Sequence, residues 1–236
     1  MSTPTVVLVH GAFAESASWN GVIARLADHG VRSMAPPNEL RSVSGDAANL
    51  TAVLRSIDGP VVLVGHSYGG AVMTNAVDAG SNVRGLVYVA GFAPDTGENI
   101  GELSARLPGS TLGDNVYAVP LPDGSNDLYI RQDHYHHQFC ADVDDAIAFQ
   151  MSVTQRPLRD AALNEASGDP AWRGLPSWFL IPELDRNIPA AVHHLMADRA
   201  GAVDTIEVAG SAHAISVSHP DETTDIIRAA VKHITG

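Results

Sequence analysis

The stretch Gly65-His66-Ser67-Tyr68-Gly69-Gly70 places a serine between two glycines, each two positions away. It stands directly after the apolar run Pro60–Val64 and directly before the helix-like stretch AVMTNAVDA. A strand-to-helix turn this sharp forces its middle residue into a strained backbone conformation, and glycine on either side lets the chain fold back closely. The Ser67 hydroxyl is then held at the start of a helix, whose dipole favours developing negative charge. That is the setting of a serine nucleophile.

A serine hydroxyl attacks well only when a base takes its proton, and the base needs an orienting carboxylate. Of the eleven histidines, His213 follows the run DTIEVAG and precedes the last helical stretch, which puts it at the same sheet edge as Ser67. It is the candidate base. Asp185, in IPELDRNIP after the penultimate strand, is the candidate acid and completes the order Ser, Asp, His. Glu183, closer to the strand end, is the alternative. Acyl transfer also requires donors for an oxyanion, and two backbone N–H groups are expected to supply them. One is Tyr68, after the nucleophile; the other is Ala12, in the turn VHGAF after the first strand.

These residues need a scaffold that brings distant loops to one edge. Apolar, β-branched runs recur at Thr5–Val9, Val31–Ala35, Pro60–Val64, Val83–Ala90, Ser177–Ile181 and Asp204–Val208. Helical spacing follows at Ser18–His29, Gly45–Ile57, Gly69–Ala79, Ala190–Ala200 and Asp221–Ile234. Alternation of this kind predicts an α/β fold with a mostly parallel sheet of about six strands, the strands buried on both faces by flanking helices. The rhythm breaks between the two blocks 1–94 and 170–236, which form the core. The intervening 95–169 shows no strong strand run, and helical spacing at Asp142–Gln155 marks it as a small, partly helical cap within a single structural domain. Ligands of open α/β sheets bind at the strands' C-terminal edge, under such a cap.

The chain has 236 residues, 45% of them hydrophobic and 17% charged, which suits one well-filled globular body and excludes wholesale disorder. Its net charge of −13 repels phosphate backbones and anionic lipid, so neither nucleic acid nor membrane is an expected partner. Cys140 stands alone, so no disulfide can form within the chain, and a cytoplasmic location is expected. The start MSTPTVVLVHG has no Lys or Arg ahead of its apolar run, fitting neither a signal nor a transit peptide. Asp133-His134-Tyr135-His136-His137 has metal-ligand residue types, but adjacent histidines cannot easily converge on one centre, so no metal is expected there. Trp19, Phe13, Tyr135, Phe139, Phe149 and Met151 could line an apolar pocket, but by default they read as core packing, and no binding role is assigned to them.

The runs VVLVHGAF, GHSYGG, LDRNIP and GSAHAISVSHP together resemble the α/β-hydrolase-fold superfamily over essentially the whole length. The chain is most similar to its small, capped branch, which includes plant methylesterases, hydroxynitrile lyases and bacterial esterase homologues. The resemblance implies Ser67 as nucleophile, His213 as base, Asp185 as acid, Ala12 and Tyr68 as oxyanion donors, and no cofactor. The acid loop departs from that pattern, with Pro-Glu-Leu at 182–184 where Gly or Thr is usual. The related lyases typically carry Thr at the position of Gly11 and Lys at that of Ala214, and neither is present here. The expectation is therefore a serine carboxylesterase acting on a small to medium ester, as monomer or homodimer. A lyase, a perhydrolase and a slow-turnover ligand receptor are the alternatives on the same fold.

Overall fold

In the computed structural model, which describes residues 4–78 and 80–236, the apolar run Thr5–Val9 forms strand β1, buried along its whole length. The core continues through α1 (Asn20–Asp28), β2 (Arg32–Met34), α2 (Val43–Arg55), β3 (Val61–His66), α3 (Tyr68–Asn75) and β4 (Val83–Val89). Next come α4 (Ile100–Ser104), α5 (Leu112–Asn115), β5 (Val116–Pro120), β6 (Asn126–Ile130), α6 (Gln132–Phe139), α7 (Asp145–Thr154), β7 (Leu158–Arg159) and α8 (Asp160–Asn164). The chain closes with β8 (Ser177–Pro182), α9 (Ala190–Ala200), β9 (Asp204–Val208), α10 (Ile215–Ser218) and α11 (Pro220–Thr235).

Six strands make one sheet in the order β2-β1-β3-β4-β8-β9, every pair parallel. The sheet is the α/β-hydrolase core expected from the sequence. Alternation along β1 sends Val6 and Leu8 to the face covered by Trp19, Leu26 and Ile227, while Val7 and Val9 join Leu50 and Val72 on the other. β1 lies between β2 and β3, so winding reverses there and a crevice opens beyond the C-terminal ends of β1 and β3. The loops carrying Ala12 and Ser67 start at that crevice.

Burial on both faces holds for β1, β3 and β8 but not at the sheet edges. β2 is only three residues long and largely exposed, and Asp204–Glu207 of β9 face solvent. An edge strand has a neighbour on one side only, and charged residues there also discourage pairing with another chain. α3 ends at Asn75, short of the expected helix, whose last residue, Ala79, lies outside the described residues, as do Met1–Thr3.

The segment between β4 and β8 differs from expectation in one respect. It contains a second, antiparallel sheet, β5-β6-β7, where no strand was predicted. β5 and β6 are joined by Leu121-Pro122-Asp123-Gly124-Ser125, closed by Leu121 N–H donating to the Ser125 carbonyl at 2.8 Å with Gly124 at φ +85°. The helical part is present as α7, its first turn capped by the Asp144 carboxylate accepting from Ala146 N–H. α6 lays Tyr135 and Phe139, one turn apart, onto the main core beside Phe13. Among the described residues no helix is long and apolar enough to cross a membrane.

Candidate active site

Ser67 sits between β3 and α3 with φ +52° and ψ −123°, a region that costs a residue bearing a Cβ. The strain is held from both sides. Ser67 N–H donates to the Ala90 carbonyl at 3.1 Å, and the Ser67 carbonyl accepts from Gly70 at 2.9 Å and Phe92 at 3.0 Å. The glycines are there because backbone passes where a side chain would be. A Cβ on Gly65 would lie 2.7 Å from the Gly69 carbonyl oxygen, and one on Gly70 would lie 2.5 Å from that of Phe92.

His213, in the loop after β9, donates Nδ1–H to Asp185 Oδ2 at 2.7 Å, and both side chains are essentially inaccessible to solvent. With Nδ1–H committed, a neutral His213 carries its lone pair on Nε2, and it lines the same cavity as Ser67. Among the described residues the Ser67 hydroxyl makes no hydrogen bond to a protein group, His213 included, so the structure brings Ser67 and His213 to one cavity without a hydrogen bond between them. Asp185 is fully engaged: Oδ1 accepts Asn187 N–H at 2.8 Å and Ile188 N–H at 2.9 Å, and Oδ2 also accepts from His193 Nε2 at 3.2 Å. Burial opposes its ionisation, but attraction to His213 and the hydrogen bonds from His193 and His213 outweigh this and hold its pKa well below the carboxylate range. Glu183 lies elsewhere and accepts from Gly210 N–H at 2.7 Å, so it is Asp185 that meets His213.

The other two sequence candidates flank Ser67. Ala12 and Tyr68 line the cavity with Ser67 and His213, and among the described residues neither backbone N–H has a protein acceptor. Buried N–H groups are rarely left unpaired, so two of them beside one hydroxyl make a ready seat for a developing oxyanion. The Tyr68 phenol is anchored beneath, donating to Asp46 Oδ2 at 2.8 Å. Phe13, after Ala12, adopts φ +59°. The cavity over Ser67 measures about 40 Å³ and adjoins one of about 440 Å³, the two sharing Phe13, Ser104, Leu112 and Leu163.

Several groups escape a reading of sequence alone. His66, the second residue of the elbow, donates Nε2–H to the His213 carbonyl at 3.0 Å and so ties the His213 loop to β3. His10 donates from Nδ1 to the Gly11 carbonyl and accepts Asn38 N–H on Nε2, both at 2.9 Å, bracing the loop that carries Ala12. Asp142 Oδ2 accepts Ala212 N–H at 3.0 Å, beside His213. His193 is unmarked in sequence, because its neighbour His194 is the same residue type yet lies exposed beside Glu207.

Burial lowers His10 from 6.5 to about 4 and His66 from 6.5 to about 3, so both stay neutral in the folded protein at moderate pH. In the unfolded chain each takes up a proton near pH 6.5. As pH falls below that value the unfolded state gains protons that the folded state refuses, and stability drops by up to about 1.4 kcal/mol per pH unit for each histidine. The melting temperature, followed by circular dichroism, is therefore expected to fall steadily from pH 6.5 towards pH 4. A flat Tm over that window contradicts the burial of these two imidazoles as neutral groups.

The cluster at Asp133–His137 lies on α6 and does not converge. His134 meets Asn115, His136 donates Nε2–H to the Val143 carbonyl at 2.9 Å, and Tyr135 turns into the core. Among the described residues no group of three or more His, Cys, Asp or Glu side chains is arranged to hold a metal. Cys140 is buried, which pushes its thiol up to about 12 and leaves it unreactive as a nucleophile.

Comparison with known proteins agrees with this architecture. The chain is 34% identical over 115 residues to a carbendazim hydrolyzing esterase of Nocardioides sp., a match covering 43% of this chain and 46% of that relative's length. It is 24% identical to salicylic acid-binding protein 2 of Nicotiana tabacum, with 92% of each covered. Among solved structures, polyneuridine aldehyde esterase superposes with a TM-score of 0.82 at 17% identity, over 100% of both chains, a likeness of fold. Residues 6–226 match the model of the alpha/beta hydrolase family, and the chain belongs to that family.

Proposed function

We propose that the protein is a serine carboxylesterase. The observation that carries the reading is the convergence on one small cavity of Ser67, His213, Ala12 and Tyr68, the last two with backbone N–H groups that find no protein acceptor among the described residues. Ser67 Oγ attacks the ester carbonyl carbon while its proton passes to His213 Nε2, and the two amides hold the oxyanion. Collapse breaks the bond to the alcohol oxygen, which takes the proton back from His213 and leaves an acyl group on Ser67. Water then attacks, gives its proton to His213, and releases the acid as the proton returns to Ser67. Asp185 keeps His213 in the required tautomer and stabilises the imidazolium. The esterase names of relatives support the same chemistry.

Cyanohydrin cleavage is disfavoured by the site. A Cβ on Gly11 would lie 2.7 Å from that of Ser67, so this backbone admits no threonine there. Ala214 is fully buried and brings no ammonium next to His213.

The substrate is a neutral, partly apolar small molecule, with the insertion 95–169 acting as a cap on the core formed by 1–94 and 170–236. Among the described residues no Lys or Arg lines either cavity, and the only charge in the outer one is Asp114. The hydroxyls there are already spent: Ser104 on the Gly101 carbonyl, Ser110 on that of Asn187, and Thr111 on the Gln138 amide oxygen. A free carboxylate on the substrate would be desolvated without a partner. Hydrolysis of p-nitrophenyl esters from acetate to octanoate is the test, with p-nitrophenyl hydrogen succinate beside the butyrate. Turnover of the neutral esters is expected, with kcat/KM for the succinate lower by at least about tenfold, the scale of one unpaired polar group. Equal use of succinate and butyrate contradicts the substrate class, and no turnover of any ester contradicts the activity.

A further inference from the structure

Tyr135 belongs to the α6 cluster that no metal reading explains. Its ring is wholly buried, and its hydroxyl donates to the Phe13 carbonyl at 2.6 Å across 122 positions of sequence. Phe13 N–H is held as well, donating to the Arg156 carbonyl at 2.9 Å. Both grips come from the segment between β4 and β8, Tyr135 on α6 and Arg156 just after α7. The residue they grip is in the left-handed region, φ +59°, which residues other than glycine seldom adopt unless the surroundings enforce it.

The Ala12 N–H belongs to the peptide shared with Gly11, and the next peptide, Ala12–Phe13, is held by the Arg156 carbonyl, so with Phe13 fixed only the two Ala12 torsions separate the Ala12 N–H from a clamped plane. If Phe13 relaxed towards negative φ, the turn after β1 would open and the Ala12 amide would swing from the position beside Ser67. We propose that Tyr135 is a positioning residue for the oxyanion seat: its hydroxyl holds Phe13 in the left-handed conformation that aims Ala12 N–H at the reacting carbonyl oxygen. The inference rests on the esterase reading, since it gives Ala12 its task. Burial keeps the Tyr135 phenol protonated, so it remains a donor throughout the working pH range. The cap thereby does more than cover the cavity. It supplies both of the hydrogen bonds that grip Phe13, while His10 and Asn38 brace the start of the same turn from the core.

The test is Tyr135→Phe, which keeps the ring and removes only the donor. For p-nitrophenyl butyrate, kcat is expected to fall about 10- to 100-fold with KM within threefold, the signature of an interaction made only in the transition state. Phenylboronic acid, which forms a tetrahedral adduct on a reactive serine, is expected to lose affinity by a similar factor. The affinity for butyramide, a neutral and planar analogue of the ester, stays within threefold. A structural role alone would lower Tm without separating these ligands. A kcat within twofold of the parent, or boronate affinity unchanged while kcat falls, overturns the proposal. An unsubstituted protein that neither hydrolyses the ester nor binds the boronate overturns the esterase reading itself, and this inference with it.

Discussion

Replacing Ser67 by alanine is expected to lower kcat for p-nitrophenyl butyrate by about 10⁶-fold, the loss seen when a triad nucleophile is removed and only the oxyanion site and substrate binding remain. The substitution is clean in this fold. Alanine, like serine, carries a Cβ, so the strain at φ +52° is the same in both, and the backbone bonds to Ala90, Gly70 and Phe92 involve no side chain. The Ser67 hydroxyl has no protein partner to lose among the described residues. Tm should therefore move by no more than about 2 °C, the shift that well under 1 kcal/mol produces in a domain of this size. Retention of more than a hundredth of the parent kcat would place the nucleophile elsewhere.

Asp185→Asn carries the second large effect. The side-chain position now occupied by Oδ1 accepts two backbone N–H groups, so an asparagine keeps its carbonyl oxygen there and turns its NH₂ towards His213 and His193. His213 Nδ1 must then accept instead of donate, which moves the ring proton to Nε2 and removes the lone pair that would take the Ser67 proton. A drop in kcat of about 10⁴-fold is expected, with the fold intact. Glu183→Gln is the companion measurement. Among the described residues that carboxylate accepts only the Gly210 amide, on the surface side of the loop, so activity within about threefold of the parent is expected, the range of a lost surface contact. The reverse pattern, with the Glu183→Gln protein inactive and the Asp185→Asn protein active, would give the acid's task to Glu183.

Much of this site is legible in the chain because its chemistry requires local signatures. The elbow needs glycines for close backbone approach, and the order of nucleophile, acid and base follows the order of the strands that carry them. β1, β3 and β8 are legible for a related reason: buried on both faces, they read as largely apolar runs, and β4 does so from Gly85 onward, past the exposed Arg84. β5 and β6 are not, since they are largely exposed and take their stability from pairing with each other. The Asp-Gly turn between alternating segments was their available signal, obscured by the prolines that precede it. Tyr135 and Phe139 are spaced as one helix face, which suggests packing, but that spacing says nothing of a hydroxyl reaching Phe13. His193 is beyond reach of any pattern, because only the tertiary fold decides that it, and not His194, turns towards Asp185.

The central claim is that Ser67 is the group that takes the acyl chain, and covalent labelling tests it most directly. The protein would be treated with one equivalent of a fluorophosphonate, digested, and the modified residue located by peptide mass spectrometry. The predicted result is a single stoichiometric adduct on Ser67, with ester hydrolysis lost in proportion to labelling and no adduct on the Ser67→Ala protein. An adduct on another residue that abolishes hydrolysis, or full hydrolysis by protein already labelled at Ser67, would contradict it.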